Sequence, residues 1–137
     1  MALLIDTGCL YVLADTSDQN HRRVLDVAQN VQEDLILPAP VLPEVCYLLH
    51  SRLGHAAMRS FLLHLNDSTI RIEGMLRADL PRIHRLRTAY ADNQLDFVDA
   101  SIVAMAERLA VHRIMTTDHR HFSVVRAAHC GYFGILP

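Results

Sequence analysis

Short apolar runs that stop abruptly and alternate with helical patterns decide what this chain can fold into. Ala2–Ile5 stops at Asp6, Leu35–Leu37 stops at Pro38, Thr69–Ile72 reads as a third such run, and Arg113–Thr117 ends at Asp118. Runs of this length read as strands buried on both faces. Tyr132–Leu136 is a fifth, faintly marked strand. Between them the periodicity turns helical over Cys9–Ala14, His21–Val31, Glu44–Leu53, His55–Leu65, Arg77–Tyr90 and Phe97–Ala110. Ser17 or Asp18 is placed to cap the second of these, and Pro43 and Gly54 bracket the third. Strands alternating with helices predict an α/β fold with a parallel sheet covered on both faces.

At 137 residues the chain fits one domain, spanning 1–137, and its 51% hydrophobic content supplies a core. No run approaches the roughly 18–20 apolar residues of a membrane span, and Asp6 interrupts the N-terminus too early for a signal peptide. Cys9, Cys46 and Cys130 are odd in number and widely spaced, which suggests neither a disulfide framework nor a cysteine zinc site. The expectation is a soluble, reduced, cytoplasmic protein. All 13 basic residues are arginine. Without lysine, Schiff-base chemistry, Walker A phosphate loops and lysine-assisted phospho-acceptor sites are excluded. A haloacid-type phosphatase also wants an aspartate where Gly8 stands. The net charge of −2 rules out a polycation held to nucleic acid by its whole surface.

Ligands of open parallel sheets bind outside the carboxyl ends of the strands. Asp6 and Asp118 fall at predicted strand ends, and Glu44, Asp96 and Asp99 fall in the first turns of helices that begin on the same edge. Each acid alone has a local employment as a cap, a first-turn carboxylate or a turn residue. Asp96 and Asp99 together resemble a capping pair. Convergence is another matter, because like charges a few ångströms apart repel by about 4 kcal/mol per pair in a partly buried site. Such a cluster needs protons or cations. Oxygen ligands select hard ions, so Mg²⁺ or Mn²⁺ is implied, and metal-assisted phosphodiester hydrolysis is the matching chemistry. The hydroxyls of Thr7, Thr116 and Thr117 are candidates for orienting water, a phosphate or a carboxylate.

These pieces resemble the PIN-domain family, and within it the VapC-type toxins of bacterial toxin–antitoxin pairs. The resemblance rests on Leu4-Ile5-Asp6-Thr7, Pro43-Glu44-Val45, Asp96 through Ala104 with Ala106-Glu107-Arg108-Leu109, and Thr116 through Phe122. It implies a three-layer α/β/α sandwich with a mainly parallel central sheet and a Mg²⁺-dependent endoribonuclease acting on a transfer or ribosomal RNA. By analogy Asp6 and Asp99 are the main metal ligands, Glu44 and Asp118 complete the site, and Asp96 is secondary. The resemblance further implies a homodimer and a cognate VapB-type antitoxin. The alternative is a non-catalytic PIN-like module that binds RNA or protein.

Other features carry less. His119 and His121 read as solvated loop histidines, since no third zinc ligand stands at useful spacing, with proton donation to the leaving oxygen as the alternative. Arg77, Arg82, Arg85 and Arg87 read as a solvated helix face, and Arg120 is the arginine placed best for RNA contact.

Overall fold

The computed structural model describes Met1–Pro137. Five parallel strands, β1 (Ala2–Ile5), β2 (Asp34–Pro38), β3 (Arg71–Glu73), β4 (Arg113–Met115) and β5 (Gly134–Leu136), form one sheet in the order β3-β2-β1-β4-β5. Seven α-helices connect them: α1 (Thr7–Ala14), α2 (His21–Asn30), α3 (Val41–Leu53), α4 (His55–Asn66), α5 (Leu80–Ala89), α6 (Phe97–Leu109) and α7 (His119–Val124). A short 3₁₀ turn at Arg77–Asp79 leads into α5.

The strand order explains the layers. The chain steps outward from β1 to β3, then returns past β1 to β4, so connections of one hand place the two sets of helices on opposite faces. Accordingly α1, α2, α3 and α4 pack among themselves, α5 packs on α6, and β2 touches both α3 and α6. The α/β/α sandwich expected from the resemblance is present, with every strand pair parallel. The core is the central sheet and what covers it: Leu3, Leu4, Ile5, Ile36, Leu37, Ile114 and Met115 are fully buried, and α6 buries Ala100 through Ala106.

Local boundaries differ from the expectation for identifiable reasons. Helix α1 begins at Thr7 because the Asp6 side chain accepts the Cys9 N–H and caps it. Helix α3 starts at Val41, three residues early, because Pro43 fits a first turn where no N–H partner is needed. Neither Ser17 nor Asp18 caps α2. Asn20 holds that position, while Asp18 closes the preceding turn by accepting the Asn20 N–H. The expected helix over Arg77–Tyr90 is split, with Pro81 in the first turn of α5. Strand β3 lies slightly later than expected, with Glu73 in register with Pro38. Helix α7 carries no signal in the sequence: six residues are too few for periodicity, and Asp118 supplies its cap.

Candidate active site

A sheet of this order has a switch point between the carboxyl ends of β1 and β4, where consecutive connections diverge to opposite faces. Asp6 leaves β1 there, and Thr116, Thr117 and Asp118 leave β4. A cleft of about 350 Å³ opens at this point. Its walls include Asp6, Thr7, Glu44, Asp96, Asp99, Thr117 and Asp118, so all five sequence-predicted acids line one space.

Local structure fixes each acid. Asp6 is only 6% exposed. Its Oδ1 accepts the Cys9 N–H at 3.0 Å, and its Oδ2 accepts the Thr116 hydroxyl. That hydroxyl also accepts the Asp118 N–H at 2.9 Å, so Thr116 ties the end of β1 to the end of β4. Thr116 lies beneath the cleft and orients a carboxylate; Thr117 lines the cleft itself. Asp96 caps α6 by accepting the Asp99 N–H at 2.7 Å, and Asp118 caps α7 by accepting the Arg120 N–H at 3.1 Å. The capping and the cleft-lining readings of Asp6, Asp96 and Asp118 are therefore both correct. Glu44 and Asp99 cap nothing, and their carboxylates are committed to the cleft.

Packing around the site is tight. A Cβ on Gly8 would stand 2.5 Å from the Thr117 Oγ1, so glycine lets the start of α1 approach the end of β4 without displacing that hydroxyl. The buried Thr7 hydroxyl has no hydrogen-bond partner. It faces Glu44, near enough to favour the ionised carboxylate but outside ordinary hydrogen-bond geometry.

Electrostatics follow from burial. Desolvation pushes the Asp6 carboxyl from 3.8 up to about 6, against the lowering effect of the Thr116 and Cys9 hydrogen bonds, and Asp118 and Glu44 push it further up. Burial, then the charge of Asp96, raise Asp99 well above the ordinary carboxylate range, although His121 opposes the shift. Glu44 is raised by burial and by Asp96. The acids thus stand in a site that resists their joint ionisation.

The side chains fit a hard divalent cation in donor type: the convergent groups are carboxylates and threonine hydroxyls, and the Thr7 hydroxyl is unspent. No three His, Cys, Asp or Glu side chains close on a single point. The carboxylates line an open cleft and do not form a closed cage.

A profile of the PIN domain matches residues 3–127. The chain belongs to the PIN-domain family. Over 135 residues this PIN domain is 28% identical to Ribonuclease VapC26 of Mycobacterium tuberculosis, a match covering 98% of this chain and 100% of that protein. Its fold is similar to the crystal structure of Mycobacterium tuberculosis VapC20, described as a sarcin–ricin loop cleaving toxin. The TM-score is 0.83 at 18% identity, covering 94% of this chain and 98% of the other. It is also similar to VapBC2 from Rickettsia felis bound to a promoter DNA fragment, with a TM-score of 0.70, 16% identity and full coverage of both chains.

Some cleft residues of this PIN domain escape a reading of its sequence. His121 is not a solvated loop residue: it lies on α7, and its Nδ1 stands 2.7 Å from the Asp99 Oδ2 and 3.6 Å from the Asp118 Oδ2. Its helical spacing from Asp118, three residues, is a signal only once α7 is known to exist. Tyr11 and Arg52 also line the cleft. Arg120 does not line it. That side chain is 87% exposed and 3.6 Å from Asp118. Among the α5 arginines, Arg82 departs from the solvated face expected of it, because it makes a forked, half-buried pair with Glu107 at 2.8–3.1 Å.

Proposed function

We propose that this protein is a metal-dependent endoribonuclease, the toxin of a VapBC-type pair, which hydrolyses RNA phosphodiester bonds with Mg²⁺ or Mn²⁺. The observation that carries this reading is the gathering of five acids around one cleft at the switch point of the sheet, two of them with strongly raised pKa values. Asp6, Asp96 and Asp118 also cap helices, but capping does not require five mutually repelling carboxylates to converge, and Glu44 and Asp99 cap nothing. The name Ribonuclease VapC26 of the 28% identical relative supports the same chemistry.

In this reading Asp6 and Asp99 hold the ion, Glu44 and Asp118 complete the set directly or through water, and Asp96 contributes secondarily. When bound, the ion supplies Lewis-acid polarisation of the phosphodiester and eases deprotonation of a water. Asp6 offers its remaining lone pairs from a carboxylate already fixed by two hydrogen bonds, so little ordering is left to be done on binding. Glu44, which lines the same cleft, is placed to hold the attacking water through a carboxylate oxygen. The Thr7 and Thr117 hydroxyls orient water or a phosphate oxygen, and Arg120 meets the RNA backbone beside Asp118. A VapB-type antitoxin, homodimerisation and a transfer or ribosomal RNA substrate belong to the same proposal. Support for the antitoxin comes from the VapBC2 assembly, which shares this fold.

Induced expression of the unmodified chain and of Asp6→Asn, with sequencing of cellular RNA 5′ ends, tests the reading. Growth arrest with discrete new ends, both absent in the variant, is expected. Equal arrest in both without new ends overturns catalysis in favour of a binding module.

A further inference from the structure

Arg52 is the one arginine lining the acidic cleft. It lies on α3, where Glu44, Leu48 and Arg52 follow at four-residue intervals and so share a face toward the cleft. Eight residues put its backbone about 12 Å farther along the helix than Glu44. Helical side chains lean back toward the N-terminus, which carries the guanidinium toward the acids.

No carboxylate of the chain lies within 4.0 Å of that guanidinium; the ion pairs of the molecule all involve other cations. Its central carbon instead sits 4.9 Å from the centre of the Tyr11 ring. The Tyr11 hydroxyl donates to Asp15 Oδ2 at 2.7 Å, and Asp15 Oδ1 is held by the Ser17 hydroxyl and N–H at 2.6 and 3.0 Å. A fixed aromatic face thus orients the cation without neutralising it. The six carboxylates of the walls, Asp6, Asp18, Glu44, Asp96, Asp99 and Asp118, repel an incoming polyanion, and the His121 ring is already engaged with Asp99 and Asp118.

We infer that Arg52 binds a backbone phosphate of the RNA next to the phosphodiester addressed by the acids. This deepens the ribonuclease reading and rests on it. The stacked guanidinium keeps its N–H edge for a forked contact with two phosphate oxygens, a geometry that lysine does not reproduce. A phosphate contact carries no base information, so the contact positions RNA of any sequence.

Filter binding of 3′-labelled total transfer RNA tests the inference, performed in Ca²⁺, which uses the same oxygen ligands as Mg²⁺. The unmodified chain, Arg52→Gln, Arg52→Lys and, as a control on the outer helix, Arg59→Gln are compared between about 50 and 200 mM KCl. Arg52→Gln is expected to weaken binding about tenfold and to lower the slope of log K against log salt by about one. Arg52→Lys keeps the slope and recovers part of the affinity, and Arg59→Gln changes neither. Equal affinity and slope in the unmodified chain and Arg52→Gln, or no RNA retained by the unmodified chain, overturns the inference. Cleavage of the same RNA in Mg²⁺ is read separately. An unmodified chain that binds through Arg52 yet leaves both this RNA and total cellular RNA intact overturns the nuclease reading while the phosphate contact stands.

Discussion

Asp6 accepts two hydrogen bonds and still holds its proton up to about pH 6, because burial outweighs both donors. The sign of its effect on stability follows. A carboxyl raised above its ordinary 3.8 takes up protons more readily folded than unfolded, so its contribution is complete below that value and is lost as pH rises through about 6. The loss is on the order of 3 kcal/mol for a shift of this size. The melting temperature of the metal-free protein is therefore expected to fall between about pH 4 and pH 7, with Asp99 acting in the same direction. Asp6→Asn flattens that fall, as calorimetry across the range will read; an equally steep fall in the variant would assign the dependence to other groups. Next to Asp6, Gly8→Ala is expected to cost about 1–3 kcal/mol, because its Cβ meets the Thr117 hydroxyl at 2.5 Å. Adding Thr117→Ala restores most of that loss in urea melts if this contact is the cause, and leaves it in place otherwise.

Helix α6 is anchored at both ends by charge. Asp96 caps its start, and near its end Arg108 bonds Asp79 through Nε at 2.9 Å, Glu73 at 3.3 Å and the Gly74 carbonyl at 3.1 Å. One guanidinium thereby ties β3, the 3₁₀ turn and α6 together. Asp79 is only 4% exposed, so Arg108→Met leaves a buried carboxylate without its cation and is expected to cost about 3 kcal/mol in a urea titration. Arg120→Met is the contrasting case. Its pair with Asp118 is long and solvated, and its removal is expected to change stability by less than about 0.5 kcal/mol. A small effect from Arg108→Met would mean that the Leu76 N–H, which also bonds Asp79 at 2.8 Å, suffices to hold that carboxylate.

The order β3-β2-β1-β4-β5 brings together acids from four separate stretches of the chain. Under the proposed metal-dependent reading, their mutual repulsion makes the folded molecule a better ligand for a divalent cation than the unfolded chain, so binding and stability would be linked. At Mg²⁺ about a hundredfold above its Kd, the stabilisation expected is about 2.7 kcal/mol. The shift is largest near pH 8, where the cation replaces the missing protons, and small near pH 5, where protons compete for Asp6 and Asp99. Thermal melts of the unmodified chain and Asp99→Asn with and without Mg²⁺ will show it. A shift of equal size in Asp99→Asn would remove that residue from the ion site.

Most of the architecture was legible along the chain. Uninterrupted runs such as Leu3-Leu4-Ile5, bounded by cap and turn residues, read as strands covered on both sides, and the acids that end them or open the next helix fall at the edge where ligands of a parallel sheet bind. That these five acids share one edge was legible because residue type and proximity to strand ends are local properties, and all five line one cleft. What the tertiary structure alone decided is where distant pieces meet. The pairing of β1 with β4 lets the Thr116 hydroxyl fix Asp6, and it leaves a side chain at Gly8 in collision with the Thr117 hydroxyl. The six-residue α7 is too short to be periodic, yet it turns His121 onto Asp99. Arg52 gives no sign of itself beyond being an arginine near a helix end. Only the packing of α1 against α3 sets it over Tyr11 in the acid cleft, because a contact between residues 41 positions apart is a property of the fold and not of either segment.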